Sequence, residues 1–90
     1  MKKVIEVQEV PNEGLAAFLG HSVTLLCENY FYTGTLTGIN DVCVLLESPT
    51  IVYETGAWVD KAYKTHEKLP SALYVMIHKI EAFGVLKGGQ

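Results

Sequence analysis

The stretch from Val23 to Ser48, VTLLCENYFYTGTLTGINDVCVLLES, decides the fold of this chain. Its apolar and β-branched runs are interrupted by Glu28-Asn29 and by residues 38–41, which have the composition of tight turns. The pattern predicts three consecutive strands, over residues 23–27, 30–37 and 42–47. A glycine inside the second strand, Gly34, indicates a sharp bend or a close approach of two backbones. We therefore expect a bent antiparallel meander.

The sequence before the meander predicts a short helix over residues 11–20. Asn12 is a suitable N-cap, and Leu15, Phe18 and Leu19 fall on one apolar stripe. A helix of about two turns is unstable in isolation, so its stripe must pack against other elements. We expect the helix to dock on the open end of the meander.

The chain beyond the meander predicts a variable link and two more strands. Within residues 49–71, we expect the third strand to extend past a proline to Glu54, residues 57–59 to return as a hairpin arm, and the polar stretch that follows to form a projecting hairpin or loop. Apolar alternation predicts a fourth strand at residues 73–78 and a fifth at 80–86. From Lys87 onwards we expect a disordered tail. The fold class is therefore all-β with a short N-terminal helix and a strongly bent five-stranded antiparallel sheet, in one domain spanning residues 1–90.

The polar part of the link contains several lysines and aromatic residues. These are Lys61, Lys64, Lys68, Trp58 and Tyr63. A charged, lysine-rich segment between strands is typical of a solvated loop, so we expect these side chains to face water. A basic, aromatic binding arm is the alternative.

Composition limits the classes of function. The 90 residues carry a net charge of −3, from ten acidic and seven basic residues, whereas a bulk electrostatic nucleic-acid binder is normally basic. All seven basic residues are lysine, so the bidentate guanidinium fork is missing. Any nucleic-acid role must therefore rest on a local site. The chain is also 49% hydrophobic and only 19% charged, which suggests buried interfaces between subunits.

The sequence carries few signals of chemistry or of a membrane. No run approaches the ~20 apolar residues of a membrane span, and the first residues lack a signal-peptide core. Cys27 and Cys43 fall in predicted strands and are interpreted as free, small apolar residues in a reducing cytoplasm. The three histidines and two cysteines are dispersed, and no phosphate loop, nucleophile elbow or carboxylate pair occurs. The sequence thus predicts no enzyme activity, no metal and no cofactor.

The predicted succession of elements resembles the Sm-like (LSm) family, which is built from a short helix, a bent three-strand meander, a variable hairpin and two short strands. The seven residues from Gly34 to Asn40, GTLTGIN, are similar to the G-x-L-x-G-F-D pattern of the first Sm motif. The spacing fits Hfq, the bacterial branch of the family, without a gap up to Ser48. Residues 76–80, MIHKI, are similar to Tyr-Lys-His-Ala-Ile in the second Sm motif of Hfq.

The resemblance assigns residues 22–48 to a first Sm-type motif and residues 72–86 to a second. Asn40-Asp41-Val42 stands where Hfq has Asp-Gln-Phe, and residues 44–46, VLL, stand where it has Ile-Leu-Leu. The chain departs from Hfq in its longer link, residues 49–71, and in lacking the arginines of the basic rim with which Hfq contacts further RNA. It also lacks the Arg-Gly of eukaryotic and archaeal members.

The resemblance implies a small open barrel of the Sm-like, SH3 type that assembles into a homo-oligomeric ring. In this family the fourth strand of one subunit pairs with the fifth strand of the next, and single-stranded RNA binds around the pore and on the ring faces. The RNA-binding positions that it implies, which would also suit single-stranded DNA, lie in two pore loops and on an aromatic strand: Asn40, Asp41, Val42, His78, Lys79, Tyr30 and Tyr32.

Each of these positions also has an ordinary structural explanation. Asn40 and Asp41 are common turn residues, and Val42 cannot stack on a base as the aromatic residue of Hfq does. His78 at a strand end commonly makes a structural hydrogen bond, and strand alternation sends at least one of the aromatics at residues 30–32 inward. Two alternatives therefore stay open. One is a ring that serves as a structural or protein-interaction adaptor without binding nucleic acid, and the other is a monomeric small barrel such as an OB-fold or SH3-like domain.

Overall fold

The computed structural model describes residues 14–87. Most of these residues lie in six strands that form one antiparallel sheet, in the order β4-β3-β2-β1-β6 with β5 also paired to β3. Two 3-10 turns, Leu15–Phe18 and Ile77–Lys79, complete the regular structure of this part of the chain. The strands are β1 Ser22–Cys27, β2 Phe31–Ile39, β3 Cys43–Glu54, β4 Thr65–Lys68, β5 Leu73–Met76 and β6 Ile80–Gly84.

The predicted meander is confirmed by β1, β2 and β3, and so is the interpretation of Gly34. The β2–β3 register shifts beside this glycine, between Thr33 and Thr35. A Cβ atom at Gly34 would lie 3.0 Å from the carbonyl oxygen of Glu47 and 3.2 Å from the Cα of Pro49. The two backbones approach too closely there for a side chain. The expected extension of the third strand past the proline is also confirmed, because β3 continues to Glu54.

The sheet has six strands because the predicted link contributes one of its own. β4 pairs with the second half of β3, with Lys68 opposite Thr50, and β5 pairs with its first half, with Leu73 opposite Leu46. The four residues between β4 and β5 include Pro70, which has no N–H to donate to a ladder. The expected return arm at residues 57–59 is wrong, since these residues form no strand.

The sheet is not closed. In the described part of the chain, β4 and β5 pair with β3 alone and β6 pairs with β1 alone. The predicted open barrel is therefore not confirmed, because a barrel requires hydrogen bonds between the two end strands. The structure shows an antiparallel sheet with two separate edges.

The predicted N-terminal helix is reduced to one 3-10 turn, Leu15–Phe18. Gly14 precedes it with φ 68° and ψ −160°, a conformation that no helix contains, so the expected continuous helix over residues 11–20 is wrong. The expected N-cap, Asn12, lies outside the described residues. Docking of the stripe is confirmed for Leu15 and Phe18, which pack against the core, whereas Leu19 is exposed.

The core lies on one face of the sheet and joins residues from four strands. Its buried members are Val23, Leu25, Cys27, Leu36, Val44, Leu46 and Val75. Cys27 and Cys43 are both free, as the sequence predicts. Within residues 14–87, the structure contains no helix of the length and hydrophobicity that crossing a membrane would require.

On the opposite face of the sheet, one residue of the loop between β3 and β4 packs against β1. Tyr63 in this loop is only 5% exposed, and its hydroxyl lies 2.6 Å from Oγ1 of Thr24 on β1. The expectation that this residue faces water is therefore wrong, because its ring packs over the sheet and its hydroxyl has a buried partner. Trp58, Lys61, Lys64 and Lys68 are exposed, as expected.

Candidate nucleic-acid interface

The two loops that the sequence singles out are joined directly. The first is the turn between β2 and β3, which contains Asn40, Asp41 and Val42, and the second is the 3-10 turn Ile77–Lys79 between β5 and β6. The backbone N–H of Ile77 donates to the carbonyl oxygen of Val42 at 2.9 Å. Pairing of β5 with the start of β3 positions this contact, because Met76 lies opposite Cys43. Residues more than 30 positions apart in sequence thus form one surface, which we call the loop pair.

The side chain of Asn40 shapes the first loop. The Oδ1 atom of Asn40 accepts hydrogen bonds from the backbone N–H groups of Val42 and Cys43, both at 2.8 Å. The backbone N–H of Asn40 donates to the carbonyl oxygen of Cys43 at 3.0 Å. An asparagine side chain that accepts hydrogen bonds from backbone N–H groups two and three residues ahead stabilises the turn in which it lies. The carboxamide oxygen is thereby occupied, and the NH2 group of this exposed side chain is the part suited to contact a ligand. Asp41 and Val42 are exposed beside it.

The second loop presents His78 and Lys79, both exposed. The Nζ of Lys79 donates to Oε2 of Glu28 at 2.6 Å, and the backbone N–H of Glu28 donates to the carbonyl oxygen of Lys79 at 3.2 Å. The hydrogen bond and the positive charge of Lys79 hold the pKa of Glu28 below its usual value. Because both side chains are at least half exposed, water screens the pair and its net contribution to stability is small.

Tyr30 and Tyr32 lie on the same side of the chain and line one groove of about 240 Å³. Lys79 lies at this groove too, together with Tyr74 of β5. Tyr30 is exposed and makes an edge-to-face contact with Tyr53 at 5.7 Å between ring centroids. Tyr32 packs partly against the core, and burial raises the pKa of its hydroxyl.

The structure therefore distributes the seven sequence-predicted residues over two adjoining surfaces. Asn40, Asp41, Val42 and His78 belong to the loop pair, and Tyr30 and Tyr32 belong to the groove, with Lys79 common to both. Sequence reasoning missed two neighbours, Glu28 and Tyr74. Strand alternation could have placed Tyr74 on one side of β5, but no local pattern links Glu28 to a lysine 51 residues away.

The chemistry available at these surfaces is that of hydrogen bonding, charge and stacking. In residues 14–87, no three His, Cys, Asp or Glu side chains come together in a way that could hold a metal ion. A larger cavity of about 470 Å³ lies on the opposite face of the sheet, with Tyr63 and hydroxyl side chains of β1–β3 in its walls. It is separate from the loop pair.

Comparisons of the chain with protein-family models, with curated proteins and with solved structures found no match.

Proposed function

We propose that this chain is a divergent Sm-like protein that assembles into a homo-oligomeric ring and binds single-stranded RNA through the loop pair. The single observation that carries the proposal is the hydrogen bond from Ile77 to Val42, because it brings together the two loops that resemble the pore loops of that family. The unstacked bases of single-stranded RNA expose edges to which polar side chains can hydrogen bond. Asn40, His78 and Lys79 supply an amide, an imidazole and an ammonium group for such contacts.

Two edges of the sheet that pair with no further strand of residues 14–87 support the assembly. Unpaired strand edges expose N–H and C=O groups that can pair with another chain, and native proteins usually protect them. β5 and β6 form such edges, and both carry exposed apolar side chains: Tyr74 is 67% exposed, and Met76 and Phe83 are also exposed. In the proposed ring, β5 of one subunit pairs with β6 of the next. Each subunit then repeats the loop pair around a pore, so modest contacts act together on one RNA strand.

The groove extends the proposed RNA surface. Aromatic side chains stack on bases with about 1–3 kcal/mol per base and without strong sequence preference. Tyr30 is exposed there and suits this role. Tyr32 is partly buried against the core, so it supports the floor of the groove. Lys79 stands between the groove and the loop pair and is the cation placed to meet a phosphate.

A second candidate function is a ring that serves as a protein-interaction adaptor without binding nucleic acid. The observation that favours it is the ion pair between Lys79 and Glu28, which neutralises the lysine of the loop pair. Asp41 adds a negative charge to the same surface, and the whole chain carries −3. In this role the loop pair would contact a protein, and RNA affinity would be absent.

The decisive experiment combines native mass spectrometry with RNA titration. Fluorescence anisotropy of short uridine-rich and adenine-rich RNAs, with DNA oligomers of the same sequences, is measured at about 50 mM salt, where phosphate contacts are strongest. The proposal predicts a mass of several subunits and saturable binding of RNA. A species of monomer mass contradicts the ring, and a ring without affinity at low salt contradicts RNA binding and favours the adaptor.

The structure indicates which variants test the loop pair. Asn40→Asp keeps the Oδ1 acceptor that the turn needs and removes the NH2 donors, whereas alanine would also remove the turn bonds. Val59→Asp, in an exposed loop residue, adds the same charge elsewhere and is the matched control. His78→Ala is paired with His21→Ala, another exposed histidine. We expect the loop variants to weaken RNA binding while the ring stays intact and the controls bind as the wild type does.

A further inference from the structure

The side chain of Lys87 has an environment unlike that of a surface lysine. The residue is only 4% exposed, and its Nζ donates to the backbone carbonyl oxygens of Thr55, Ala57 and Ala62, the last two at 2.7 and 3.2 Å. An ammonium group has three N–H donors, and here each has its own carbonyl acceptor. The expectation of a disordered tail is therefore wrong for Lys87, while residues 88–90 lie outside the described part of the chain.

Two aromatic rings complete the surroundings of this ammonium. Its Nζ lies 5.0 Å from the ring centroid of Tyr63 and 5.6 Å from that of Trp58. The two rings stand nearly perpendicular, with an interplanar angle of 85° and centroids 6.3 Å apart. Cations within about 6 Å of an aromatic face are attracted by the ring quadrupole, most strongly by tryptophan. We call the three carbonyls and two rings the ammonium cage.

All five parts of the cage belong to one loop, residues 55–63, and other contacts hold this loop in place. The backbone N–H of Lys64 donates to the carbonyl oxygen of Thr55 at 3.3 Å, and that of Asp60 donates to the carbonyl oxygen of Ala57 at 3.1 Å. The hydroxyl of Tyr63 is anchored on Thr24 at 2.6 Å. The shape of the cage thus depends on bonds in which Lys87 takes no part.

The segment that brings Lys87 to the cage follows the last strand of the sheet. β6 ends at Gly84, and the next two residues, Val85 and Leu86, are exposed and outside the sheet. The ammonium group of Lys87 attaches this segment to the loop through its three hydrogen bonds and two ring contacts. A ligand that offers the same group could replace it.

We propose that the loop of residues 55–63 is a binding site for a primary alkylammonium group, and that Lys87 is its internal ligand. The site takes a lysine side chain or a small aliphatic amine when Lys87 is withdrawn. The three carbonyl acceptors match in number the three N–H donors that a primary ammonium carries on one nitrogen atom. A planar guanidinium and a quaternary ammonium lack that arrangement of donors, so they bind more weakly.

The test uses the only tryptophan of the chain, Trp58, as a fluorescent reporter inside the cage. Lys87→Met removes the ammonium and keeps an unbranched apolar stem, which leaves the cage empty. The variant and the wild type are titrated with n-butylammonium chloride and with Nα-acetyl-lysine amide, and 1-butanol and sodium chloride serve as controls. We expect a saturable fluorescence change in the variant and at least a ~10-fold weaker response in the wild type, whose site is filled.

The two amines distinguish the source of the ligand. Equal affinity for both indicates a site for any small aliphatic amine, and tighter binding of the lysine derivative indicates a lysine of a polypeptide. A folded variant that shows no saturable response, or that responds equally to 1-butanol, overturns the proposal. So does an equal response of the wild type.

A second measurement covers the case in which Lys87→Met does not fold. Circular dichroism then follows refolding with and without n-butylammonium chloride, and the proposal requires that the amine, and not 1-butanol, restores the folded spectrum. Failure of the amine to do so contradicts the proposal. Lys87→Arg provides a further control, because it keeps the positive charge and should still melt at a lower temperature than the wild type.

Discussion

Glu28 and Val42 lie beyond opposite ends of β2, and yet both hydrogen bond to the same three-residue turn, Ile77–Lys79. The carbonyl oxygen of Val42 accepts from Ile77 at 2.9 Å, and the N–H of Glu28 donates to Lys79 at 3.2 Å. A straight strand of nine residues would hold its ends about 30 Å apart. The contacts with one short turn therefore require β2 to bend strongly. This bend places the loop pair beside the groove.

The ion pair between Glu28 and Lys79 leads to a prediction on RNA affinity. Glu28→Gln removes the acceptor charge and leaves Lys79 available for a phosphate, so RNA should bind more tightly. The slope of log affinity against log salt should steepen by about one. Glu47→Gln makes the same change of net charge on β3, away from the loop pair, and should have a smaller effect. Anisotropy titrations at several salt concentrations measure both, and equal behaviour of the two variants would argue against a role for Lys79.

The same pair predicts how acid acts on the protein. Lys79 lowers the pKa of Glu28 in the folded state, so the small stabilisation from the pair is present at neutral pH. It is lost as the pH falls through the lowered pKa of the folded state. Urea unfolding at neutral and acidic pH should therefore show a smaller loss of stability for Glu28→Gln than for the wild type. A steeper loss in the variant would contradict this assignment.

The exposed aromatic side chain of Tyr74 leads to a prediction on whether the β5 edge forms the subunit interface. In Tyr74→Asp a charge would be buried between subunits, so we expect the proposed ring to dissociate into monomers. Val59 is 92% exposed in a loop, and Val59→Asp should leave the assembly unchanged. Native mass spectrometry of the two variants measures the outcome. A ring that survives Tyr74→Asp would exclude this edge from the interface.

The buried hydroxyl pair of Thr24 and Tyr63 predicts a loss of stability. Tyr63→Phe leaves the ring in place and deprives Thr24 of its partner, which should cost about 1–2 kcal/mol of unfolding free energy. Tyr53→Phe removes an exposed hydroxyl bonded to Glu67 and should change stability by less than about 0.5 kcal/mol. Urea denaturation measures both. A double variant with Thr24→Val should lose less than the sum of the single variants, because no hydroxyl is then left unpaired.

The close backbone approach at Gly34 predicts that alanine is not tolerated there. The added Cβ would meet the backbone of Glu47 at 3.0 Å, and backbone cannot move aside as a flexible side chain can. We expect Gly34→Ala to cost about 1–3 kcal/mol. Gly84→Ala is the matched control in another strand, where the nearest atom is Leu86 Cδ2 at 3.4 Å. Similar melting temperatures for the two variants would contradict the bend at Gly34.

The two cysteines should differ in reactivity. Cys27 is buried, and burial raises the pKa of its thiol, so less of the reactive thiolate is present at a given pH. Cys43 is only half-buried. We expect iodoacetamide to label Cys43 first in the native protein and both residues equally in denaturant. Peptide mass spectrometry measures the two rates, and preferential labelling of Cys27 would contradict the structure.

Local sequence patterns predict the meander well because its signals are local. Apolar alternation and turn residues placed β1, β2 and β3 to within a few residues, and Gly34 indicated the bend. β4 was not predicted, because its four residues, THEK, are all polar and exposed. Neither face of the strand therefore shows an apolar pattern in the sequence. Only pairing with the end of β3 makes it a strand. The helix was over-predicted because an apolar stripe carries no signal of the positive φ at Gly14.

The candidate site also has one part that local sequence predicts and another that it does not. The turn at Asn40 can be predicted from the adjacent sequence, because the hydrogen bonds of its side chain reach only two and three residues ahead. The contact of the two loops, the Lys79 pair and the ammonium cage join residues from 25 to 51 positions apart. Such contacts depend on the path of the whole sheet, which no window of sequence contains.

The sequence by itself determined the meander, its bend, the free cysteines and the identity of the candidate loops, because strand alternation and turn chemistry act over a few residues. Tertiary structure alone decided that the sheet formed by residues 14–87 is not closed, that Glu28 pairs with Lys79 and that Lys87 is buried. All three depend on packing between residues that are far apart in the sequence. A local pattern predicts that Lys87 is exposed to water, whereas in the fold its ammonium group contacts carbonyl oxygens and aromatic rings of a distant loop.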